Sequence, residues 1–438
     1  MKPFRILFFV LAAMLMVALV ACGGGAPPAA QQAEQAAQQV EQAAGEAAQD
    51  VEKAAEEAVA EVSEATSSTS EALGSEGAAV ATEFYSQADY EAALRMRDLK
   101  PLNPDDPVWV QYLEENWVDT TQYKKDPPYT VCFSNAGVNN PWRVVGYTTM
   151  QAEVDLHPEI EKFIHVDAEG NDEKQISDIQ DLVAGGNCDI LIVSPNTTKA
   201  LTPAVEEACK SLPVIVFDRG VQTDCPVAFV QPFGGFAGYN FGYEGAKFLV
   251  DNLPAKANVI ALRILPGVDV LETRWAGARN LFAESDLNVV AVEFGDGNND
   301  KVKTIVTDAI QKYGHIDGVW MDAGATAVAA LEAFEDAGQP YPVINGEDQQ
   351  DFLVKWQQEG LTAIAPTFPT FQWRTAVIAA MMTLKGERVN DPWALPQPAI
   401  TQANLDQYVQ PNMPPLFYAM CGCETMPDFP QRWGGTAP

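Results

Sequence analysis

The sequence predicts an α/β protein made of two doubly wound parallel-sheet lobes joined by a hinge. From residue 129 onward, short apolar segments alternate with amphipathic helical segments, which is typical of a parallel sheet covered on both faces. The alternation restarts after residue 235, and the two series together span roughly 240 residues, more than one core usually takes. Two such lobes would face each other across a cleft at the carboxyl ends of their strands, where these sheets bind ligands.

The apolar runs give the individual elements. The first series has predicted strands at 129–133, 163–166, 190–193 and 214–217, and helices at 144–155, 173–184 and 198–210. A bridging stretch, 227–235, follows it. The second series has predicted strands at 258–263, 289–292, 318–321 and 342–345.

The amino terminus predicts export and lipidation. Lys2 and Arg5 precede an apolar run of about fifteen residues, 6–20, which is shorter than the roughly twenty residues of a membrane-spanning helix. The run ends in Leu19-Val20-Ala21-Cys22, a lipobox, so we expect residues 1–21 to be a signal peptide and Cys22 to become the diacylated mature terminus. The alternative is an ordinary signal peptide with an incidental cysteine.

The charge balance restricts the ligand. The chain has 27 basic and 60 acidic residues, a formal charge of −33, which repels nucleic acid, anionic lipid and other polyanions. The composition therefore favours a neutral solute.

Six cysteines remain after lipidation, and outside the cytoplasm an even number suggests disulfides, although their spacing allows several connectivities. They are Cys132, Cys188, Cys209, Cys225, Cys421 and Cys423. A zinc site is the weaker interpretation, because no Cys-x-x-Cys pair occurs and the chain has three histidines.

Residues 22–83 are rich in Ala, Gln, Glu, Gly and Ser and have too few large apolar side chains to bury a core, so they predict a tether. Val40, Val51 and Val62 recur every eleven residues, which leaves open a short coiled coil or a solvated acidic stalk. Aromatic residues return in 84–127, and we expect this N-terminal extension to pack against the lobes.

Polar and aromatic side chains follow the predicted strands. Asn140, Trp142 and Arg143 come after the first strand, and Asp218 and Arg219 follow the fourth. The second series adds Thr273, Arg274, Trp275, Asp296, Asn298, Asp322 and Asp348. Carboxylates, guanidinium groups and an indole face are the groups that bind the hydroxyls and the apolar face of a sugar. The sequence therefore predicts a sugar site in the cleft; a structural Asp218–Arg219 ion pair and a core position for Trp142 are the alternatives.

At these positions the chain resembles the ribose-type periplasmic binding proteins, the type I solute receptors of sugar ABC transporters. The resemblance covers roughly residues 129–400. It rests on Asn139-Asn140-Pro141-Trp142, on the segment 213–219 ending in Asp218-Arg219, and on Gly346-Glu347-Asp348. It implies a lipid-anchored, extracytoplasmic receptor that hands a monosaccharide to an ABC permease, is monomeric, has no cofactor and is not an enzyme.

The family's ligand contacts, carried over position by position, imply a specific set of site residues. They are Asn140, Trp142, Arg143, Asp218, Arg219, Arg274, Asp322, Asp348 and Thr367. Arg143 stands where many relatives have an aromatic residue, which favours a hexose, a furanose or an acidic sugar over ribose. The usual aromatic contact of the second lobe aligns near Gly297, and the segment from Phe368 to Trp373 is the candidate to replace it.

The resemblance also implies three crossings between the lobes and closure about the hinge. It assigns 128–233 and 366–388 to the first lobe, including a helix over 371–385, and 234–365 and 389–404 to the second. Residues 405–438 form a C-terminal extension for which the sequence suggests packing and disulfides only.

Other protein classes fit less well. The signatures His-Glu-x-x-His, Gly-x-Ser-x-Gly and Walker A are absent from the sequence. The glycines of 234–238 lack the full dinucleotide-loop spacing, and a lipobox and acidic tether stand where a related repressor would have its DNA-binding helices. A surface sensor that presents a sugar to a receptor kinase remains the alternative to an import receptor.

Overall fold

The computed structural model describes Leu73, Ala78, Ala79 and residues 84–437, all within one compact unit, Ser68–Pro438. The predicted signal peptide, Cys22 and the valines of the tether lie outside the described residues. No helix in the described part of the chain has the length and apolar character needed to cross a membrane.

Two parallel sheets organise the chain. The first has six strands in the order β13-β6-β5-β4-β2-β3, and the second has five in the order β11-β10-β9-β7-β8. The strands of the first sheet are β2 (Tyr129–Asn135), β3 (Ile160–Asp167), β4 (Ile190–Ser194), β5 (Val214–Phe217), β6 (Ala228–Pro232) and β13 (Trp393–Leu395). Those of the second are β7 (Asn258–Arg263), β8 (Asn288–Phe294), β9 (Gly318–Met321), β10 (Val343–Asn345) and β11 (Ala363–Ile364). The predicted fold class is confirmed.

Helices cover both faces of each sheet. The helices of the described residues are α1 (Gln87–Met96), α2 (Pro141–Asp155), α3 (Asp172–Gly185), α4 (Thr198–Cys209), α5 (Ala237–Asn252), α6 (Asp269–Glu284), α7 (Asn299–Tyr313), α8 (Ala327–Asp336), α9 (Gln350–Glu359) and α10 (Gln372–Lys385). The central strands β4 and β5 are buried along their whole length, which explains why their sequences are continuously apolar.

Each lobe has its own hydrophobic core. In the first lobe, Phe133, Ile192 and Trp373 belong to the cluster that β2 and β4 form with α10. In the second lobe, Trp275 and Trp320 lie in the cluster between β9 and α6, with their rings 5.3 Å apart. The two cores are separate, so each lobe packs around its own sheet.

Three segments connect the lobes: 233–236 between β6 and α5, 365–371 between β11 and α10, and 396–399 after β13. Ala365 and Ile400 form an antiparallel bridge that holds the last two together. Helix α10 returns to the first lobe after the second crossing, as expected from the sequence.

One predicted domain boundary is wrong. Residues 389–404 were assigned to the second lobe, but Trp393–Leu395 pair in parallel with Val230–Pro232 in the first sheet. The adjacent two-residue strand β12 (Val389–Asn390) pairs with β1 (Trp117–Val118). Pro392 and Pro396 flank β13, which an edge strand tolerates because its outer amides need no partner.

Both extensions pack on the lobes. The N-terminal extension places α1 against α5 of the second lobe, where Ser86 N donates to Tyr239 Oη at 2.9 Å. It then reaches the first lobe, where Leu113 N donates to Ala394 O at 2.9 Å. The C-terminal extension buries Phe417, Tyr418 and Trp433. The prediction that both extensions pack is therefore confirmed.

The six cysteines form three disulfides. Cys132 pairs with Cys188 and Cys209 with Cys225, both in the first lobe, and Cys421 pairs with Cys423 in the C-terminal extension. The spacing had left this connectivity open.

Candidate functional site

The first wall of the cleft is a buried polar network at the ends of β2, β4 and β5. Arg143 Nη2 pairs with Asp218 Oδ2 at 2.7 Å, and its Nη1 donates to Asn135 Oδ1 and Ser194 Oγ, each at 3.2 Å. Ser194 Oγ donates to the same Asp218 oxygen at 3.1 Å. Burial lowers the pKa of Arg143 to about 10, and the Asp218 carboxylate opposes this, so the guanidinium remains charged at neutral pH.

The predicted alternative of an Asp218–Arg219 ion pair does not occur, because Asp218 pairs with Arg143. Arg219 instead donates through Nη1 to Asn196 O, and its Nε is buried without a hydrogen-bond partner among the described residues. Asp218 has a left-handed φ of 69°, a conformation that short polar side chains tolerate. The two neighbouring residues therefore have different partners: Asp218 pairs with Arg143, and Arg219 donates to Asn196 O.

The second wall centres on Arg274, on helix α6 of the second lobe. Its Nη1 donates to Asp322 O at 2.6 Å and to Glu347 Oε1 at 3.3 Å. Its guanidinium carbon lies 4.0 Å from the centre of the Phe241 ring. Arg274 Nε, like Arg219 Nε in the first lobe, is buried and lacks a partner within the described residues.

Two carboxyl groups of this wall are only partly hydrogen-bonded. Asp322 Oδ2 accepts from Ile264 N at 3.0 Å, and Asp348 Oδ2 accepts from Met420 N at 2.7 Å. The other oxygen of each carboxyl group is buried with no partner in the described part of the chain. Burial raises the pKa of Asp322 to about 7 and that of Asp348 to about 7.

The sequence predicts that Trp142 presents a free indole to the cleft. In the structure the indole already has partners. Its Nε1 donates to Phe368 O at 2.6 Å, and its ring lies 5.5 Å from Phe368 and 5.7 Å from Trp373. The ring is part-buried against the first lobe's core and the C-terminal extension. Its position is therefore intermediate between the cleft and the core.

Two other predicted residues have structural partners. The exposed Asn140 caps α2, its Oδ1 accepting from Arg143 N at 3.0 Å. Thr367 is buried in the second crossing and donates through Oγ1 to Pro398 O in the third. Asn140 thus orients the start of α2, and Thr367 ties two hinge segments together.

Glu347 and Tyr418 belong to this wall but were not among the predicted site residues. Glu347 is buried, pairs with Arg274, and accepts from Tyr418 Oη at 3.1 Å. The motif Gly346-Glu347-Asp348 contained the first of these residues. No local pattern identified Tyr418, because it reaches the site from the C-terminal extension.

The lobes contact each other on both sides of the cleft. Thr198 Oγ1 donates to Asp269 Oδ2 on one side. On the other, the ring of Phe368, in the second crossing, lies 5.2 Å from the guanidinium of Arg274 and 5.5 Å from the ring of Trp142. The arrangement therefore encloses the polar residues of both walls.

The unpartnered atoms define what the cleft can bind. In the described residues they include donors and acceptors from both lobes: Arg219 Nε, Gln231 Oε1, Arg274 Nε, Asp322 Oδ1 and Asp348 Oδ1. Buried polar atoms without partners are costly, and a ligand with several hydroxyl groups would supply both donors and acceptors to them. The described residues contain no group of three or more His, Cys, Asp and Glu side chains placed to hold a metal ion.

Comparison with known proteins gives one family. Residues 131–388 match the periplasmic binding protein domain. The ribose import binding protein of Bacillus subtilis is 27% identical over 287 residues, covering 65% of this chain and 92% of that protein. The Escherichia coli ribose import binding protein is 24% identical over 262 residues, covering 59% of this chain and 86% of that protein.

Solved structures share the fold. A solute-binding protein of an ABC transporter from Bacillus halodurans, with bound myo-inositol, has a TM-score of 0.58 at 20% identity, covering 65% of this chain and 98% of that one. One from Actinobacillus succinogenes, with bound D-allose, has a TM-score of 0.57 at 22% identity, covering 64% and 100%. Both extensions lie outside the matched residues 131–388.

Proposed function

Because the chain belongs to the periplasmic binding protein family and is of its ribose type, we propose that it is an extracytoplasmic lipoprotein that serves as the receptor of an ABC importer. It binds one monosaccharide unit of a sugar in the cleft and delivers that sugar to the importer. The observation that carries the proposal is the set of buried, unpartnered donors and acceptors on facing walls of the cleft. Closure of two lobes over a ligand is the event that such a receptor signals to its partner.

The hydroxyl groups of a sugar match these atoms better than a charged ligand does. The first wall offers Arg219 Nε, and the second offers Arg274 Nε and the free oxygens of two carboxyl groups. Arg143 and Asp218 neutralise each other, so they orient a ligand without requiring it to carry a charge. The net charge of −33 also disfavours an anion.

A sugar panel tests the binding. Pentoses, hexoses and sugar acids should be screened by thermal shift and the hits measured by calorimetry, since a ligand at a hundred times its Kd stabilises by about 2.7 kcal/mol. Asp322→Asn should then lower affinity by about tenfold or more, the size of a lost hydrogen bond to a charged group.

Asp317→Asn is the matched control. Asp317 and Asp322 flank strand β9 at opposite ends, and each accepts a backbone N–H, from Asn258 at 2.7 Å and from Ile264 at 3.0 Å. The cleft is at the Asp322 end, so Asp317→Asn should leave affinity within about twofold. Equal effects of the two changes, or no sugar that shifts the melting temperature, would contradict the proposal.

Delivery to an importer is tested in cells. Deletion of the gene should abolish uptake of the labelled sugar that the protein binds, and restored expression should recover it. Normal uptake in the deletion strain would contradict a role in import. It would favour the alternative, in which the protein presents the bound sugar to a receptor kinase.

Lipid anchoring is tested separately. Mass spectrometry of native protein should find diacylglycerol on Cys22, and Cys22→Ala should release the protein from membranes while sugar affinity is unchanged. An unmodified terminus at another residue would contradict this part of the proposal.

A further inference from the structure

We propose that the cleft contains a second subsite, walled by the N-terminal extension, which takes a further sugar ring, so that the ligand is a neutral disaccharide or other glycoside. This inference rests on the proposed function and specifies its ligand. It comes from a cavity of about 570 Å³ between the lobes.

The cavity is additional to the polar walls described above. Among the described residues Arg219 lines it, whereas Arg143, Arg274, Asp322 and Asp348 do not. Its volume is in the range of about 300–1,000 Å³ that takes drug-sized ligands, and a single sugar ring is smaller than these. Space therefore remains for a second group beyond the ring that contacts the walls.

The cavity adjoins both polar walls. Arg219 of the cavity follows Asp218 of the first wall, and Thr273 of the cavity precedes Arg274 of the second. Gln231 also lines the cavity and donates through Nε2 to Asp218 O. A ligand bound between the walls could thus extend directly into the cavity.

The cavity has buried polar groups that lack partners. Gln231 is 5% exposed, and its Oε1 accepts no hydrogen bond from the described residues. Arg219 Nε is an unpartnered donor in the same lining. A hydroxyl group can donate to the amide oxygen and accept from the guanidinium, so sugar hydroxyls fit this pair.

Aromatic rings provide the apolar contact that a sugar ring needs. Phe229 and Phe84 both line the cavity. Two glycines flank Phe229: a Cβ would lie 3.3 Å from the ring at Gly220 and 3.1 Å from it at Gly235, where φ is 108°. Side chains at these positions would press on the ring, so the glycines keep it accessible from the cavity.

The charges of the lining balance. Asp89 and Asp269 are opposed by Lys199 and Arg219, which gives two groups of each sign. This balance favours an uncharged ligand, in agreement with the overall negative charge of the chain.

The N-terminal extension holds its part of the lining against the second lobe. Tyr239 Oη donates to Phe84 O at 3.0 Å, and Arg97 of the same extension pairs with Glu244. Phe84 and Asp89 precede the residues that match the family, 131–388, so this wall belongs to the chain's own extension.

Calorimetry on the full mature chain tests the subsite. The probes are glucose and galactose, and the disaccharides maltose, cellobiose, lactose and melibiose that contain them. We expect at least one disaccharide to bind about tenfold more tightly than its component monosaccharides. Phe84→Ala and Asp89→Asn should each weaken disaccharide binding by about threefold to tenfold and leave monosaccharide binding unchanged.

Glu91→Gln is the matched control, because Glu91 is exposed on the same helix, α1, and does not line the cavity. It should alter neither affinity. The subsite is excluded if a monosaccharide binds as tightly as every disaccharide, or if Phe84→Ala weakens both classes equally; the proposed function survives either result. Failure of all sugars to bind would remove the proposed function and the subsite together.

Discussion

The backbone N–H of Met420 donates to Oδ2 of Asp348 at 2.7 Å, so the C-terminal extension contacts a carboxyl group of the cleft directly. Met420 O in turn accepts from Phe371 N at 3.1 Å and from Thr370 Oγ1 at 3.2 Å, in the second crossing. One residue of the extension therefore joins a site residue of the second lobe to the segment that leads back to the first.

Asp348→Ala should lower both stability and sugar affinity. The change removes the acceptor for Met420 N in a site that water does not reach, and a buried donor left without a partner costs about 1–3 kcal/mol. Chemical denaturation of the ligand-free protein measures the first effect and calorimetry the second. A loss of affinity with unchanged stability would mean that Met420 finds another acceptor.

The ligand-free protein should be more stable at pH 5 than at pH 8. Burial raises the pKa of Asp322 to about 7 and that of Asp348 to about 7, against about 3.9 in an unfolded chain. Between about pH 4 and pH 7 the folded state therefore binds more protons than the unfolded state, and stability falls as the pH rises through this window. Melting curves across this range measure the slope.

Repulsion among the many acidic side chains acts in the same direction, so the slope needs a control. Asp322→Asn should flatten the pH dependence by about 1–3 kcal/mol, since one pKa unit corresponds to about 1.4 kcal/mol. Asp317→Asn removes one carboxyl group at the other end of β9 and is the comparison. Identical slopes in both variants would show that Asp322 is ionised in the folded protein at pH 5.

Arg374 should be critical for stability because it joins four parts of the chain. On helix α10, its Nη2 pairs with Glu153 Oε2 at 2.6 Å, its Nη1 donates to Gly422 O, and its guanidinium carbon lies 3.9 Å from the centre of the Trp109 ring. Removing one partner of a buried ion pair costs about 3–5 kcal/mol, so Arg374→Ala should destabilise by that amount.

The pair Arg432–Asp155 provides the comparison. It also joins the C-terminal extension to α2, at 2.6 Å, but Asp155 is exposed. Arg432→Ala should cost about 0–1 kcal/mol, as for other surface ion pairs. Urea denaturation measures the free energy of unfolding of both variants. If Arg374→Ala and Arg432→Ala lower it equally, burial does not set the strength of these contacts.

The sequence predicts elements well where the signal is local. Strand β5 was predicted with its observed bounds, because four consecutive apolar residues lie between Pro213 and Asp218. Strand β13 was not predicted, because only its tertiary position at the sheet edge makes a strand of a proline-flanked segment.

The site residues also divide into those with a local sequence signal and those whose contacts are distant in sequence. Asp218 was predicted at a strand end and directly follows β5, whereas Arg274 lies within helix α6. The partners of both residues are distant in sequence. Arg143 meets Asp218 across 75 positions, and Trp142 meets the carbonyl of Phe368 across 226. The contact of Met420 with Asp348 depends on an extension that has no counterpart in the matched family region.

The last prediction concerns Trp142, which should contribute to both stability and binding. Its ring packs between Phe368 and Trp373, and its Nε1 donates to Phe368 O at 2.6 Å, so truncation removes packing and leaves a carbonyl without its donor. Trp142→Ala should therefore cost about 2–3 kcal/mol in the ligand-free protein, less than the roughly 3–5 kcal/mol of a fully buried aromatic residue, because the ring is part-buried. It should also weaken sugar binding, because Phe368 lies between Trp142 and Arg274.

Trp142→Phe separates the two contributions. It keeps a six-membered aromatic ring beside Trp373 but removes the N–H that donates to Phe368 together with the pyrrole part of the indole, so we expect a loss of about 1–3 kcal/mol in stability. If Phe368 depends on that hydrogen bond for its position over Arg274, sugar affinity should fall in Trp142→Phe as it does in Trp142→Ala. Denaturation and calorimetry on both variants give the answer. Full affinity in Trp142→Phe would show that packing alone positions Phe368, whereas full stability in Trp142→Ala would place the indole on the ligand side of the cleft after all.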